Sequence, residues 1–449
     1  MNQQTSMFNK IVVDNFAGGD GASTGIEMAI GRSVDIAINH DIEAIRMHKT
    51  NHPTIKHYCE SVWEIDIRQA IQGHSVGLVW FSPDCKHHSK AKGGKPVEKK
   101  VRGLAWIVNK CGGQVSPRVM MLENVEEFQE WCPLIAKRDK KTRRVLKKDG
   151  TIAAKGEHFP IKEQQLVPDP KRKGRYFRRF IRRLNELGYV VKYKELSACD
   201  YGAPTTRRRL VMIMRNDGKV IKWPESTHGE GKLPYAPASS IIDWSIPIPS
   251  IFNRKKPLAD NSLVRIARGI QKYVIEDEPY IVNDTAYFLS HYYTHQGKET
   301  RCSSLREPIA TIPTQNRFGV VAVKLQDIQL PMKDNVFAFL TKYYGCDTGQ
   351  SLNGPIHTIT TKDRFGLVVV RGKDYKIADI GLRMLTAREL FNGMGFPKSY
   401  IINLDYTGKT YPTTQQKARC GNAVVPILSK VLVEANLPEL CKESMKEVI

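Results

Sequence analysis

Short apolar runs alternate with amphipathic stretches through the first third of the chain. "KIVVDNF" (10–16), "VDIAIN" (34–39), "VGLVWFSP" (76–83) and "RVMMLENV" (118–125) are continuous apolar segments bounded by polar residues. That is the pattern of strands buried on both faces. Between them, "EAIRMHKTNH" (43–52) and "RGLAWIVNKC" (102–111) repeat apolar positions at helical spacing. The alternation predicts an α/β fold, a mostly parallel sheet covered by helices. Such sheets bind ligands beyond the carboxyl ends of their strands. Cys85 stands just past one such end and Glu123 at another.

Residues 137–183 break the rhythm with 18 Lys or Arg against 5 Asp or Glu. Within them "VLKKDGTI" (145–152) carries an Asp-Gly turn and reads as a hairpin. "YFRRFIRRLNEL" (176–187) puts Phe177, Phe180, Ile181, Leu184 and Leu187 on one helical face, with the arginines outside. The plain reading of the charge is a solvated face; its density also suits phosphates. "YVVKYKELSA" (189–198) and "RRLVMIMR" (208–215) read as two further strands. Alternate spacing aims Arg207 and Arg209 at one side.

From about residue 224 prolines cluster and helical periodicity fades. "EPIATIPTQNRFGVV" (307–321) recurs as "GPIHTITTKDRFGLV" (354–368), each copy preceded by an aromatic segment. Two copies make a duplicated β unit rather than a solenoid. Arg317 and Arg364 either hold loops or meet nucleic acid. Helical periodicity returns in "LTARELFNGMGF" (385–396) and "PILSKVLVEANL" (426–437), a segment expected to pack back on the first part.

A length of 449 residues calls for two or three domains, and 41% hydrophobic residues supply a large core. The net charge of +23 points to a polyanionic partner, most simply nucleic acid. No run is apolar enough to span a membrane, and the N-terminus lacks a signal-peptide pattern. The expectation is a cytoplasmic protein. Nine cysteines without a CxxC pair argue against a disulfide scaffold or a structural zinc site. Cys85, His87 and His88, neighbours on one loop, are a poor metal cluster, so no metal is expected.

The segment "VWFSPDCKHHSKAKGG" (79–94) leaves three readings of Cys85: inert thiol, metal ligand or nucleophile. "DNFAGGDGASTGIEMA" (14–29) is a glycine-rich turn between strand and helix, which lets a ligand approach the backbone at a helix N-terminus. With Asp41 and Asp66 supplying carboxylates for ribose hydroxyls and an adenine amine, it suits an adenosine-containing cofactor.

Taken in order, these segments resemble the DNA (cytosine-5)-methyltransferases, from residue 11 to about 430. The glycine loop looks like their first motif and "SPDCKHHSKAKGG" like their Pro-Cys loop. "ENV" (123–125) resembles their Glu-Asn-Val motif, and "YGAPTTRRRLVMI" (201–213) their Gln-x-Arg-x-Arg motif. "WPESTH" (223–228), "LTARELFNGMGFP" (385–397) and "GNAVVP" (421–426) complete the series, and the wording resembles members from bacteria and their phages.

The resemblance implies a Rossmann-like class I methyltransferase fold. Residues 1–224 would form the catalytic domain, carrying the basic insertion 137–183. Residues 225–380 would form a smaller β-rich target-recognition domain, and 381–449 would complete the catalytic one. It implies double-stranded DNA as partner, a flipped-out cytosine as target, a monomer, and in some settings a cognate restriction endonuclease. Its catalytic set maps to Cys85, Glu123, Asn124, Arg207 and Arg209. It implies S-adenosylmethionine as methyl donor and S-adenosylhomocysteine as product, held by Phe16, Ala17, Gly18, Gly21, Asn39, Asp41, Asp66, Ile67, Pro83, Asn422 and Ala423. Asn422 either reaches that cofactor or stands at a helix terminus. Lys86 or the arginine pair would favour the thiolate, and Ser89, Lys90, Lys92 and Lys95 would close over DNA on hinges at Gly93 and Gly94.

Five positions depart from the family pattern. Asp84 stands where proline is usual, Asp20 replaces a glycine, and Asn39 replaces a common glutamate. Thr205 and Arg419 each replace a glutamine. A DNA-binding regulator without turnover, and an RNA methyltransferase, are the competing readings.

Overall fold

The computed structural model describes residues 10–85, 87–88, 97–292, 301–326, 367–370 and 373–441. The first sheet contains β1 (Ile11–Asn15), β2 (Ile36–Ile38), β3 (Lys56–Tyr58), β4 (Val76–Phe81) and β5 (Val119–Asn124). A separate ribbon follows, β6 (Leu134–Ala136) against β7 (Leu166–Pro168). Then β8 (Val190–Ser197) and β9 (Arg208–Arg215) complete the first sheet, in the order β3-β2-β1-β4-β5-β9-β8. Pairing is parallel from β3 to β5, and β9 runs antiparallel to both of its neighbours. The chain reverses its direction of sheet growth between β1 and β4, so the crevice beyond their carboxyl ends is the topological switch point.

The continuous apolar runs of β4 and β5 are explained by two cores. Leu78, Trp80, Val119 and Met121 enter one; Val79, Phe81, Met120 and Leu122 enter the other. Successive residues point to opposite faces, and both faces are covered.

The helices on this sheet are α1 (Gly21–Ile30), α2 (Ile42–Asn51), α3 (Ile67–Ala70), α4 (Lys99–Arg102), α5 (Trp106–Val115) and α6 (Arg175–Glu186). The run expected as one helix over 102–111 is instead broken after Arg102 by a turn through Gly103, and helix resumes at Trp106. The buried Arg102 is thereby free to reach the carbonyl of His87. In α6, Phe177, Phe180 and Leu184 are buried, each contributing about 1.5–3 kcal/mol. Leu187 is exposed, contrary to expectation, because the helix ends at Glu186 and Gly188 turns the chain away at φ 87°. Over 145–152 the Asp-Gly turn forms: Lys147 N donates to Thr151 O at 2.9 Å, and Leu146 bridges Ile152.

The second lobe carries α7 (Asp260–Ile270) on an antiparallel sheet. Its strands are β10 (Tyr280–Val282), β11 (Thr285–His291), β12 (Cys302–Ser304), β13 (Phe318–Gln326), β14 (Leu367–Val370) and β15 (Lys373–Met384). They run in the order β10-β11-β13-β15-β14, with β12 on β11. The first copy of the repeat leads into β13, and Arg317 donates to the carbonyl of Tyr292 at 3.4 Å. Most of the second copy, with Arg364, lies outside the described residues. The expected boundary between 380 and 381 falls inside β15, which stays paired to β13 from Lys376 to Met384.

Beyond β15 come α8 (Ala387–Gly393), α9 (Thr413–Asn422) and α10 (Pro426–Asn436). Helix α10 lies against α1 without space for side chains between them. A Cβ on Gly21 would sit 1.7 Å from the carbonyl oxygen of Val424, and one on Gly25 1.9 Å from that of Pro426. The two lobes share backbone bonds as well, Ile309 N to Pro204 O and Thr206 N to Ile309 O, both at 2.9 Å. Among the described residues, no helix is long and apolar enough to cross a membrane.

Candidate active site

One cavity opens at the switch point. Its floor is the loop after β1, where Phe16 and Asp20 both adopt left-handed backbone angles (φ 66° and 61°) before α1 begins. Glycine is required nearby because the C-terminal segment presses on the loop: a Cβ on Gly19 would lie 2.4 Å from the carbonyl oxygen of Arg419. No side chain caps α1 at Asp20, so the first-turn N–H groups are left for a ligand or solvent. Asp14 and Asp20 reach the cavity from beneath, almost fully buried, and burial pushes both carboxyls up to about 7.

Asn39 and Asp41 follow β2 and also line the cavity. The Asn39 amide is already engaged within the loops: its Nδ2 donates to Ala17 O at 3.1 Å, and its Oδ1 accepts from Asp41 N at 2.9 Å. Asp41 caps α2 through Glu43 N and meets Arg419 Nη2 at 2.6 Å. Burial alone would raise this carboxyl; the Arg419 bond and charge, aided by N–H donors of α2, hold it below its ordinary value.

The opposite wall comes from β4 and β5. Pro83, Asp84 and Cys85 extend from β4, and Glu123 stands near the end of β5. Asn124 does not line the cavity. It is buried behind it, donating Nδ2 to Pro83 O at 3.0 Å and accepting Val125 N at 2.9 Å. From there it ties down the loop that carries Cys85. Beyond the thiol, His88 N donates to Cys85 O at 2.9 Å. Arg102 Nη1 donates to His87 O at 2.6 Å. Lys86 and residues 89–96, to which closing and activating roles were assigned, lie outside the described residues.

The third wall is cationic. Arg209 Nε lies 2.9 Å from Glu123 Oε1. Arg207 is buried and donates Nη2 to Ala423 O at 3.0 Å and Nη1 to Ile312 O at 3.3 Å. Burial, then the charge of Arg209, pushes the Arg207 guanidinium down to about 10. The Cys85 thiol is pushed up, first by burial; Arg209 opposes this, Glu123 adds to it, Arg207 opposes and Asp84 adds. An incoming polar ligand would therefore meet a thiol, a carboxylate and two guanidinium groups at one end, and an open helix N-terminus at the other.

The cavity brings together Phe16, Ala17, Gly18, Gly21, Asn39, Asp41, Pro83, Cys85, Glu123, Arg207, Arg209, Asn422 and Ala423. Asp66 and Ile67 fall outside it. Asp66 caps α3 by accepting from Arg68 N at 2.9 Å, and Ile67 is buried in the core. Sequence reasoning assigned no site role to Asp14, Gly19, His40, Ser82, Arg419 or Val424, which also line the cavity. Arg419 stood out only as a departure from a pattern, and the signal for Val424 was its place in "GNAVVP".

The family model for C-5 cytosine-specific DNA methylase matches residues 11–145 and 168–436. The chain belongs to this family. The unmatched stretch between the two blocks lies within the basic insertion. Type II methyltransferase M.BspRI of Lysinibacillus sphaericus is 37% identical over 245 residues, covering 51% of this chain and 47% of that protein. Type II methyltransferase M.SacI of Streptomyces achromogenes is 42% identical over 52 residues, 12% of this chain and 13% of that one. The chain thus spans at most about half the length of these curated relatives. Among solved structures, the S. pombe Dnmt2 methyltransferase aligns with a TM-score of 0.51 at 13% identity, covering 96% of this chain and 99% of that one. A DNMT2 mutant of Spodoptera frugiperda gives 0.50 at 14%, covering 95% and 99%. These likenesses establish the methylase fold, a mostly parallel sheet joined to an antiparallel lobe.

Proposed function

We propose that this member of the family methylates C5 of cytosine in duplex DNA, with Cys85 as a transient covalent nucleophile and S-adenosylmethionine as methyl donor. The observation that carries the reading is that Cys85, Glu123 and Arg209 share one cavity with the uncapped N-terminus of α1. The donor fits that end: first-turn N–H groups without a side-chain cap suit its carboxylate, and Asp41 and Asn39 stand beside the glycine loop. When bound, it supplies an electrophilic methyl group.

The target base must leave the helix to reach so recessed a thiol. The Cys85 thiolate then adds to C6 and the C5–C6 π electrons move to C5, while the Glu123 carboxyl group donates a proton to N3 as negative charge spreads over the ring and accepts from the exocyclic amine. A guanidinium, Arg209 or Arg207, donates to O2. C5 takes the methyl group as the donor's S–CH3 bond breaks and S-adenosylhomocysteine leaves; a base removes the C5 proton, and the electron pair released expels the cysteine as thiolate. Asn124 positions the nucleophile by holding Pro83. The type II names of the relatives favour a setting beside a restriction endonuclease, and the net charge of +23 favours salt-sensitive binding to duplex DNA.

The test incubates the protein with labelled S-adenosylmethionine and mixed-sequence duplex DNA, with RNA in parallel. Label in DNA cytosine, lost in Cys85→Ser while duplex binding persists, is the expected result. Label in RNA alone, no label at all, or turnover by Cys85→Ser would each overturn the reading.

A further inference from the structure

A buried polar cluster lies under the glycine loop, and the reaction just described does not use it. His48 and His52 sit one turn apart on α2, 0% and 3% exposed. Both turn Nε2 toward the carboxylate of Asp20: His48 Nε2 is 3.2 Å from Oδ1, and His52 Nε2 is 4.0 Å from Oδ2. The donor atoms of these three residues all lie within 4.8 Å of one another. Asp20 Oδ2 accepts from the hydroxyl of Tyr400, whereas Oδ1 has no hydrogen-bond partner although it is buried. Among the described residues, the ion-pair partners of Asp20 are these two imidazoles.

The outer nitrogens of both rings are braced. His52 Nδ1 lies 2.8 Å from Glu27 Oε2, and His48 Nδ1 lies 2.8 Å from His57 Nε2. A metal-binding imidazole is usually oriented in this way, with its far nitrogen held by a carboxylate or another acceptor. Two histidines at i and i+4 on a helix present their nitrogens on one side. Without an ion, the nearest donor to Oδ1 of Asp20 is His48 Nε2 at 3.2 Å, a nitrogen already shared with the Ser23 hydroxyl, and no well-aligned hydrogen bond reaches this oxygen, in a residue whose left-handed backbone is itself strained. A cation at the shared focus removes that deficit.

We propose that Asp20, His48 and His52 form a binding site for a divalent transition metal of the zinc class, which fastens the glycine loop to α2. The donor set, two imidazole nitrogens and a carboxylate oxygen, suits Zn²⁺ and its probe Co²⁺ rather than Ca²⁺ or Mg²⁺. The His48 Nε2 that now faces the Ser23 hydroxyl at 3.0 Å turns its lone pair to the ion. Its ring proton then sits on Nδ1, donated to His57. Asp14 and Asp20 both line the cavity, which supplies the entry path. The site stands whether or not the chain methylates DNA.

The test uses the whole chain, purified without a histidine tag, stripped with a chelator and titrated with Zn²⁺ alone and with Co²⁺ alone. The wild type takes up a single equivalent, its melting temperature rises, and the cobalt form has visible d–d bands without a near-ultraviolet thiolate band. Asp20→Gly suits the left-handed backbone and therefore folds; it weakens binding by more than about 100-fold, and Glu27→Gln by about 10–100-fold. His52→Gln serves as a second ligand variant, with the same loss. No saturable uptake by the wild type, a thiolate band, or wild-type affinity in both ligand variants would overturn the proposal.

Discussion

Arg209 Nε meets Glu123 Oε1 at 2.9 Å on the wall that also carries the Cys85 thiol. The pair sets the thiol's ionisation from two sides. Burial raises the thiol, Arg209 pulls it back, and Glu123 raises it again. Each unit of pKa is worth about a factor of ten in thiolate at a fixed lower pH.

Alkylation of Cys85 by iodoacetamide, followed by peptide mass spectrometry, is therefore expected to be slow at pH 7.5 and to accelerate past the ordinary thiol range. Glu123→Gln removes a negative neighbour and speeds the reaction at pH 7.5 by about 3–10-fold; Arg209→Ala slows it by a similar factor. Equal rates in all three proteins would mean that the pair does not govern the thiol.

Asn124 tests positioning. Asn124→Ala leaves the buried Pro83 carbonyl without its donor, at about 1–3 kcal/mol. The expected result is a lower urea midpoint and a fall in kcat larger than any rise in KM. Asn124→Asp, which retains an acceptor for Val125 N but no donor for Pro83, should not rescue either parameter.

Close packing of α1 on α10 makes Gly25 intolerant of a methyl group. Gly25→Ala places a carbon where the carbonyl oxygen of Pro426 and the hydroxyl of Ser429 now lie, at 1.9 and 2.1 Å. The helices must separate, so the variant should lose about 1–3 kcal/mol in chemical denaturation, although alanine is the better helix former. A gain in stability would mean that the two helices do not touch here.

Acid should weaken the fold through His88 and His291. Burial, followed by Arg102 for His88 and Arg265 for His291, pushes these rings down to about 3 and about 4. Each is neutral in the folded chain and takes up a proton in the unfolded chain below about 6.5. Their contribution is complete above that pH and declines as pH falls toward 4. The loss is at most about 2 kcal/mol per ring by pH 5. His88 stacks edge-on against Phe128 and Trp131, so Phe can replace it. His88→Phe should flatten the pH dependence between 6.5 and 5 in equilibrium unfolding.

The parallel core is legible in the chain because β4 and β5 must be apolar on both faces, a character that β9 shares from Leu210 to Met214. Cys85, Glu123 and the arginine pair could be found as strand-end residues. What escapes is whatever depends on distant segments meeting. The polar run 413–422 forms α9 because it abuts the glycine loop, not because its pattern demands a helix. Asp66 has the right residue type but serves as a helix cap. Leu187 belongs to the apolar face by period, but the helix ends one residue too soon. Asp20, His48 and His52 belong to two motifs about thirty positions apart, and the cluster they form exists only once β1 and β2 are paired.

Arg207 fixes carbonyls of Ile312 and Ala423 with a single guanidinium, clasping three distant stretches of chain at one knot. Recombination that imports a foreign second lobe must therefore deliver a backbone oxygen at the place of Ile312. A graft that misses it leaves a buried charge half-satisfied at the heart of the molecule. The lobe's rim is thus free to vary, while its root is held as a unit with the cavity wall that carries Arg207.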